Sequence, residues 1–126
     1  MATVQLGRVT DRPGARLHAV DVTSTCPYQR RGFLGTSVAL TADNAPLVCK
    51  RCRPALHAAA ETAEVEANRA WGISTTLRGR ERAAEAAAVV RLLESPAQRL
   101  ARRRSDEAFR RQFDAIVAAS LTDVAA

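Results

Sequence analysis

Three cysteines and two histidines are the residues of this chain whose types and spacing could support chemistry. Cys49 and Cys52 form a Cys-x-x-Cys motif, a tight turn that brings two thiolates to one ion while the amides of the turn stabilise their charge. A tetrahedral zinc site needs two more ligands, and Cys26 and His18 can supply them from a loop and the strand before it. His57 is an alternative to His18, although it would have to turn back from inside a helix. The sequence therefore predicts one Zn²⁺ site.

The motifs of the common enzymes with a zinc ion or a reactive nucleophile are missing from the sequence. It contains no H-x-E with P-C-x-x-C of the deaminases, no H-E-x-x-H, no P-loop and no G-x-S-x-G. Four protein ligands leave no open position on a tetrahedral ion, which is typical of a structural site. We therefore expect neither an enzyme nor a small-molecule substrate.

The cysteine count and the hydropathy pattern bear on the cellular compartment. An odd number of cysteines, two of them in Cys-x-x-Cys, disfavours a pure disulfide framework and favours a reducing environment. The sequence has no apolar run long enough to span a membrane and no secretory leader. These features predict a cytoplasmic protein without a membrane partner.

Basic residues cluster around the predicted metal site. The net charge is +6, and nearly all of the basic residues are arginines, which the codon usage of a GC-rich genome also produces. A basic cluster can form a phosphate-binding surface, or it can be a solvated face that aids solubility. We predict nucleic-acid binding, in a regulator connected with transcription, through five residues: Arg30, Arg31, Lys50, Arg51 and Arg53.

An apolar helical face near the C-terminus favours a different partner. Phe109, Phe113, Ile116 and Val117 recur at helical spacing, and a core built mainly from alanine would not cover them fully. The alternative prediction is therefore a protein-interaction module, which binds a host protein or forms a homo-oligomer through this face.

Two regions of different composition must position these residues. In the first, the alternating segments 3–9 and 16–22 predict a β-hairpin around the turn at Pro13-Gly14, and 36–41 predicts a third strand. The aromatic content is only 4%, so the core must be thin, and a metal could reinforce it.

The second region is rich in alanine and helical in pattern. It predicts helices over about 54–70 and 79–94, and a third that starts at Ser95-Pro96 and could break near Ser105. Pro54 suits the first turn of the first helix, because a residue there needs no N–H donor. The expected fold is α+β, with a zinc-binding β module over residues 1–57 and a helical region over residues 58–126.

Three segments of the chain carry a resemblance to a known class of module. They are Leu17 through Cys26, Val38 through Asp43, and Val48 through Arg53. This pattern resembles small zinc-finger-type modules of actinobacteria and their phages, in which a His and a Cys pair with a later Cys-x-x-Cys that opens a helix. The resemblance covers roughly residues 15–57 and implies a zinc ion. The chain departs from the pattern at Pro27, where such modules often have glycine, and in its long basic spacer before Cys49.

Overall fold

A small antiparallel sheet followed by three helices forms the fold. The computed structural model describes residues 4–10, 12–30 and 37–125. The strands are β1 (Gln5–Gly7), β2 (His18–Ala19) and β3 (Val38–Ala39), and the helices are α1 (Arg53–Ile73), α2 (Leu77–Leu93) and α3 (Pro96–Ala125). This arrangement confirms the predicted α+β class.

The sheet has β1 at its centre, with β2 and β3 antiparallel on either side. Leu6 lies opposite Ala19 on one side and opposite Val38 on the other. Gly14, in the turn between β1 and β2, has a φ of +77°, a conformation that only glycine adopts without strain. The predicted hairpin and third strand are therefore present, with shorter ladders than the alternation of apolar residues indicated.

Hydrogen bonds from turn residues fix the starts of the helices. Pro54 occupies the first turn of α1, as predicted, and Cys52 is the residue that precedes the helix. Thr76 accepts the Gly79 N–H at 3.0 Å and so caps the start of α2. The short connection 74–76 lets α1 and α2 pack against each other.

Helix α3 begins at a reciprocal cap and runs without interruption. The Gln98 N–H donates to Ser95 Oγ at 3.2 Å, and the Ser95 N–H donates to Gln98 Oε1 at 2.8 Å. The helix continues through Ser105, where the sequence allowed a break. Neither proline nor glycine follows Pro96, and the Arg102–Asp106 pair at 3.9 Å spans the position, so nothing there interrupts helical hydrogen bonding.

The core of the first part of the chain is small and includes cysteine thiols. Its largest fully buried side chains are Leu6, Leu93, Val48 and Cys52. Among the described residues no phenylalanine, tyrosine or tryptophan ring is buried, as the low aromatic content indicated. Because the cysteines stand where a larger core would have hydrophobic side chains, the site and the core are one structure.

The chain forms two compact units, Met1–Leu93 and Glu94–Ala126. The first contains the sheet with α1 and α2, and the second contains α3. The predicted division between residues 57 and 58 falls inside α1 and stays a prediction about the organisation of the chain. None of the described helices combines the length and the apolar composition needed to cross a membrane.

The burial of Leu6 gives a first testable prediction. Leu6→Ala should lower the free energy of unfolding by about 2–5 kcal/mol, because it removes a fully buried side chain from a core with few others. Leu77→Ala, the same substitution at a position that is 74% exposed, should change it by less than about 0.5 kcal/mol. Urea unfolding of both variants checks this. Equal losses would show that Leu6 is not a core residue.

Candidate metal centre

Backbone pairing brings the β2 strand to the Cys-x-x-Cys turn. The Leu17 N–H donates to the Leu47 carbonyl at 2.9 Å, and the Cys49 N–H donates to the Leu17 carbonyl at 2.8 Å. Leu17 is thus held from both sides by the segment that leads into the motif. His18, the next residue, must lie beside Cys49 as a consequence.

The motif itself folds into a tight turn that opens α1. The carbonyl of Cys49 accepts the N–H of Cys52 at 3.1 Å and that of Arg53 at 2.9 Å. The backbone N–H groups of Cys52 and Arg51 also donate to the Cys49 thiol. These donors favour the thiolate, as the sequence argument for this motif required.

Ser24 and Tyr28 contact the cluster but are not among the predicted site residues. The hydroxyl of Ser24 accepts the Cys26 N–H at 3.2 Å and lies 3.5 Å from Cys52 Sγ, so it orients one ligand and contacts another. The Tyr28 ring packs on the His18 ring, with the centroids 5.2 Å apart. A serine two residues before a cysteine is a signal for such a turn, whereas the Tyr28 contact depends on the tertiary fold.

The structure brings together the four predicted ligands His18, Cys26, Cys49 and Cys52, whose ligand atoms all lie within 4.8 Å of one another. Cys26 Sγ is 3.7 Å from Cys49 Sγ and 3.5 Å from His18 Nδ1, and Cys52 Sγ is 3.8 Å from His18 Nδ1. Tetrahedral coordination with metal–sulfur bonds of about 2.3 Å and metal–nitrogen bonds of about 2.0 Å separates sulfurs by about 3.8 Å and sulfur from nitrogen by about 3.5 Å. The cluster therefore has the dimensions to hold a metal ion.

The thiols are free, and their surroundings set their protonation. A disulfide would need a sulfur–sulfur distance of about 2.05 Å, so the three cysteines are not bonded to one another. Burial raises the pKa of the Cys52 thiol to about 11. Burial acts in the same direction on Cys49, but the N–H donors of Cys52 and Arg51 outweigh it, and the pKa of Cys49 lies below its usual value.

Burial also lowers the pKa of the His18 imidazole, which keeps the ring neutral with a lone pair for a cation. The arrangement offers a metal one neutral nitrogen and one readily ionised thiol. A metal that binds would displace the proton of Cys52, because only a thiolate ligates.

The alternative ligand His57 lies apart from this cluster. It is buried on α1, and its Nδ1 is 2.8 Å from Glu61 Oε1, one helical turn further along. The His57 side chain is thus paired with Glu61 and is not part of the cluster, whereas His18 is.

The residues predicted to contact nucleic acid are not equivalent in the fold. Lys50 and Arg51 are exposed on the Cys-x-x-Cys turn. The Arg53 guanidinium instead donates to the carbonyls of Ala45 at 2.7 Å and Leu92 at 3.3 Å, which ties the start of α1 to the turn before it and to the end of α2. Arg30 lies in the 3-10 turn Pro27–Arg30, and Arg31 falls outside the described residues.

A cavity of about 430 Å³ lies beside the cluster in the first unit. His18 and Tyr28 are part of its lining, and so are the exposed residues Arg12 and Arg16. Arg16 is oriented by a hydrogen bond of 3.3 Å from its Nη1 to the Pro46 carbonyl. The described lining has basic and neutral polar side chains but no carboxylate, so its charge is suited to an anion.

Comparison with known proteins gives no match to a protein-family model, a curated protein or a solved structure. The resemblance to zinc-finger-type modules of actinobacteria and phages therefore stays a prediction. The geometry of the cluster and the surfaces around it therefore carry the functional information.

The positions of the two histidines give the second prediction. His18→Ala should weaken metal binding by tenfold or more, because it removes one of four ligands, whereas His57→Ala should keep one metal per chain. Titration with Co²⁺, followed by the absorption that thiolate ligation gives it, measures both affinities. Loss of binding in His57→Ala with binding retained in His18→Ala would reverse the assignment.

Proposed function

We propose that the cluster holds one structural Zn²⁺ ion and that the protein works by binding a macromolecule. The observation that supports the metal is that three sulfurs and one imidazole nitrogen lie within 4.8 Å of one another, with three of their distances at 3.5, 3.7 and 3.8 Å. Thiolate ligands select soft or borderline ions, and a Cys₃His set is typical of structural zinc.

A structural role fits the site better than a catalytic one. A catalytic zinc keeps one position for water or substrate, whereas here four protein atoms are available to fill all positions. His18, Cys26 and Cys52 are 5%, 3% and 0% exposed and Cys49 is half-buried, so most of the ligand side chains are shielded from solvent. We therefore propose that the protein is not an enzyme at this site.

The ion would join three segments of the first compact unit. His18 belongs to β2, Cys26 to the loop after it, and Cys52 to the start of α1. The buried side chains of this unit are few and mostly small, so hydrophobic burial alone contributes modestly to its stability. Zinc binding would supply folding free energy, as it does in other small metal-stabilised modules.

Nucleic acid is the partner that the surface around the site supports. Lys50 and Arg51 are exposed on a turn whose two ends are metal ligands, so the ion would fix their positions. Arg12 and Arg16 line the neighbouring cavity, and the net charge is +6. Such side chains neutralise phosphates. Arg53 is not part of the proposed surface, because its guanidinium is bonded within the fold.

Protein binding through α3 is a second candidate function, and one observation favours it. Phe109, Phe113, Ile116 and Val117, which the sequence indicated as an interface, are all exposed on α3. Large apolar side chains grouped on one exposed helix face are typical of an interface. A host protein and a second copy of the chain are the two partners that the sequence suggested.

Removal of the metal tests the structural role. A strong chelator should unfold the sheet and the start of α1, because three thiols and an imidazole would then remain buried without the ion that joins them. Amide chemical shifts in NMR spectra report each region separately. Refolding on return of one equivalent of Zn²⁺ is the expected control, and a sheet that keeps its native shifts in the chelator would argue against the proposal.

Charge removal at the metal-binding turn tests nucleic-acid binding. The double variant Lys50→Gln, Arg51→Gln should weaken binding for every sequence tested and reduce the slope of log K against log salt by about 1–2. Fluorescence anisotropy with labelled duplexes at several salt concentrations measures both quantities.

The matched control removes the same charge elsewhere. Arg78→Gln, Arg80→Gln changes two exposed arginines at the start of α2 and should leave the affinity nearly unchanged. Equal weakening in both double variants would mean that only net charge matters, and no binding at low salt would exclude nucleic acid as the partner.

A further inference from the structure

We propose that α3 pairs in antiparallel orientation with α3 of a second copy of this chain, and that the two apolar faces form a dimer interface. The inference rests on the proposed role of α3 as a protein-binding surface and names its partner. It is independent of nucleic-acid binding, which concerns the other compact unit.

The apolar face of α3 is long and open to solvent. Its members share spacings of three and four residues, and each is exposed: Phe109 (69%), Phe113 (55%), Ile116 (65%), Val117 (40%) and Leu121 (65%). The Phe109 and Phe113 rings lie side by side, with their centroids 6.5 Å apart. The residues thus form one continuous stripe rather than scattered exposed side chains.

The size of this stripe matches what a stable dimer needs. For side chains of ordinary size, the exposed parts of these five residues amount to roughly 500 Å². A standard protein interface buries about 800 Å² on each partner, of which about 60% is apolar, so its apolar share is also close to 500 Å². The stripe alone therefore supplies the apolar area of an interface between two copies.

The distribution of charge along α3 selects a second copy in antiparallel orientation. Residues 96–105 contain four arginines and no acidic residue, whereas residues 112–125 contain two aspartates and no basic residue. The segment between them, residues 106–111, contains two acidic and two basic side chains and is neutral overall. This order opposes the helix dipole, which favours acidic residues at the N-terminal end and basic residues at the C-terminal end. An antiparallel neighbour places the acidic end of one helix beside the basic end of the other, so both ends gain opposite charges. A parallel neighbour would put like charges together.

The positions of the apolar residues agree with the same orientation. An antiparallel pair centred on Phe113 sets the two Phe113 residues beside each other and Phe109 level with Val117 of the other copy. The apolar residues therefore match in this register.

The mass of the protein in solution tests the dimer. Sedimentation equilibrium with the zinc-loaded full chain should give twice the 13.6 kDa of the monomer at micromolar concentration. Phe113→Glu should raise the dimer dissociation constant by a hundredfold or more, because it sets two carboxylates together at the centre of the interface. Ala118→Glu adds the same charge to the opposite side of α3 and should leave the mass unchanged.

Metal content and helical circular dichroism of both variants show whether each remains folded. A wild-type protein that stays monomeric at high concentration would overturn the proposal. A dimer that survives Phe113→Glu would also overturn it, because its interface would lie elsewhere.

Disulfide cross-linking in the zinc-loaded protein tests the orientation. In an antiparallel dimer centred on Phe113, a mixture of the Phe109→Cys and Val117→Cys variants should cross-link one variant with the other, whereas a parallel dimer should cross-link each variant with itself. Cross-linking of each variant only with itself would reject the antiparallel orientation. A monomer that binds a different protein through Phe109 and Phe113 would reject the second copy as partner while leaving α3 an interaction surface.

Discussion

The first compact unit depends on the convergence of three sulfurs and one imidazole nitrogen at a single point. Cys26 and Cys52 lie in the core together with Leu6 and Val48. These two cysteines therefore fill core volume and also offer sulfur ligands to a metal. Burial raises the pKa of Cys52, so this thiol holds its proton when no cation is bound. A bound metal would replace the thiol protons and would join β2, the loop that carries Cys26 and the start of α1.

Other interactions of this unit hold the segments that carry the four ligand residues in place. The two backbone bonds of Leu17 align β2 with the Cys-x-x-Cys turn, and the Ser24 hydroxyl fixes the loop that carries Cys26. Arg53 ties the start of α1 to the turn before it and to the end of α2. Three short strands would be marginal alone, and these contacts compensate for the small sheet.

The exposed basic turn and the exposed apolar helix face belong to different compact units. Lys50 and Arg51 stand on the metal-binding turn, where their backbone is constrained at both ends. Helix α3 instead keeps its large apolar side chains on the outside, and its own reciprocal cap and side-chain pairs support the helix locally. The basic turn belongs to the first unit and the apolar face to the second, so different substitutions address the two features.

Residue types and short-range spacing were enough for the local features: the Cys-x-x-Cys turn, Pro54 in the first turn of α1, the cap at Ser95 and the α+β class. The turn, the helix start and the cap depend on interactions between residues that are near in sequence. The sequence favoured His18 over His57, and only the tertiary structure shows which of them lies in the cluster. Backbone pairing over thirty residues carries His18 to Cys49, whereas His57 lies beside Glu61 on α1. The sequence did not reveal that the Arg53 guanidinium is hydrogen-bonded within the fold, because its acceptor on α2, the Leu92 carbonyl, is distant in sequence.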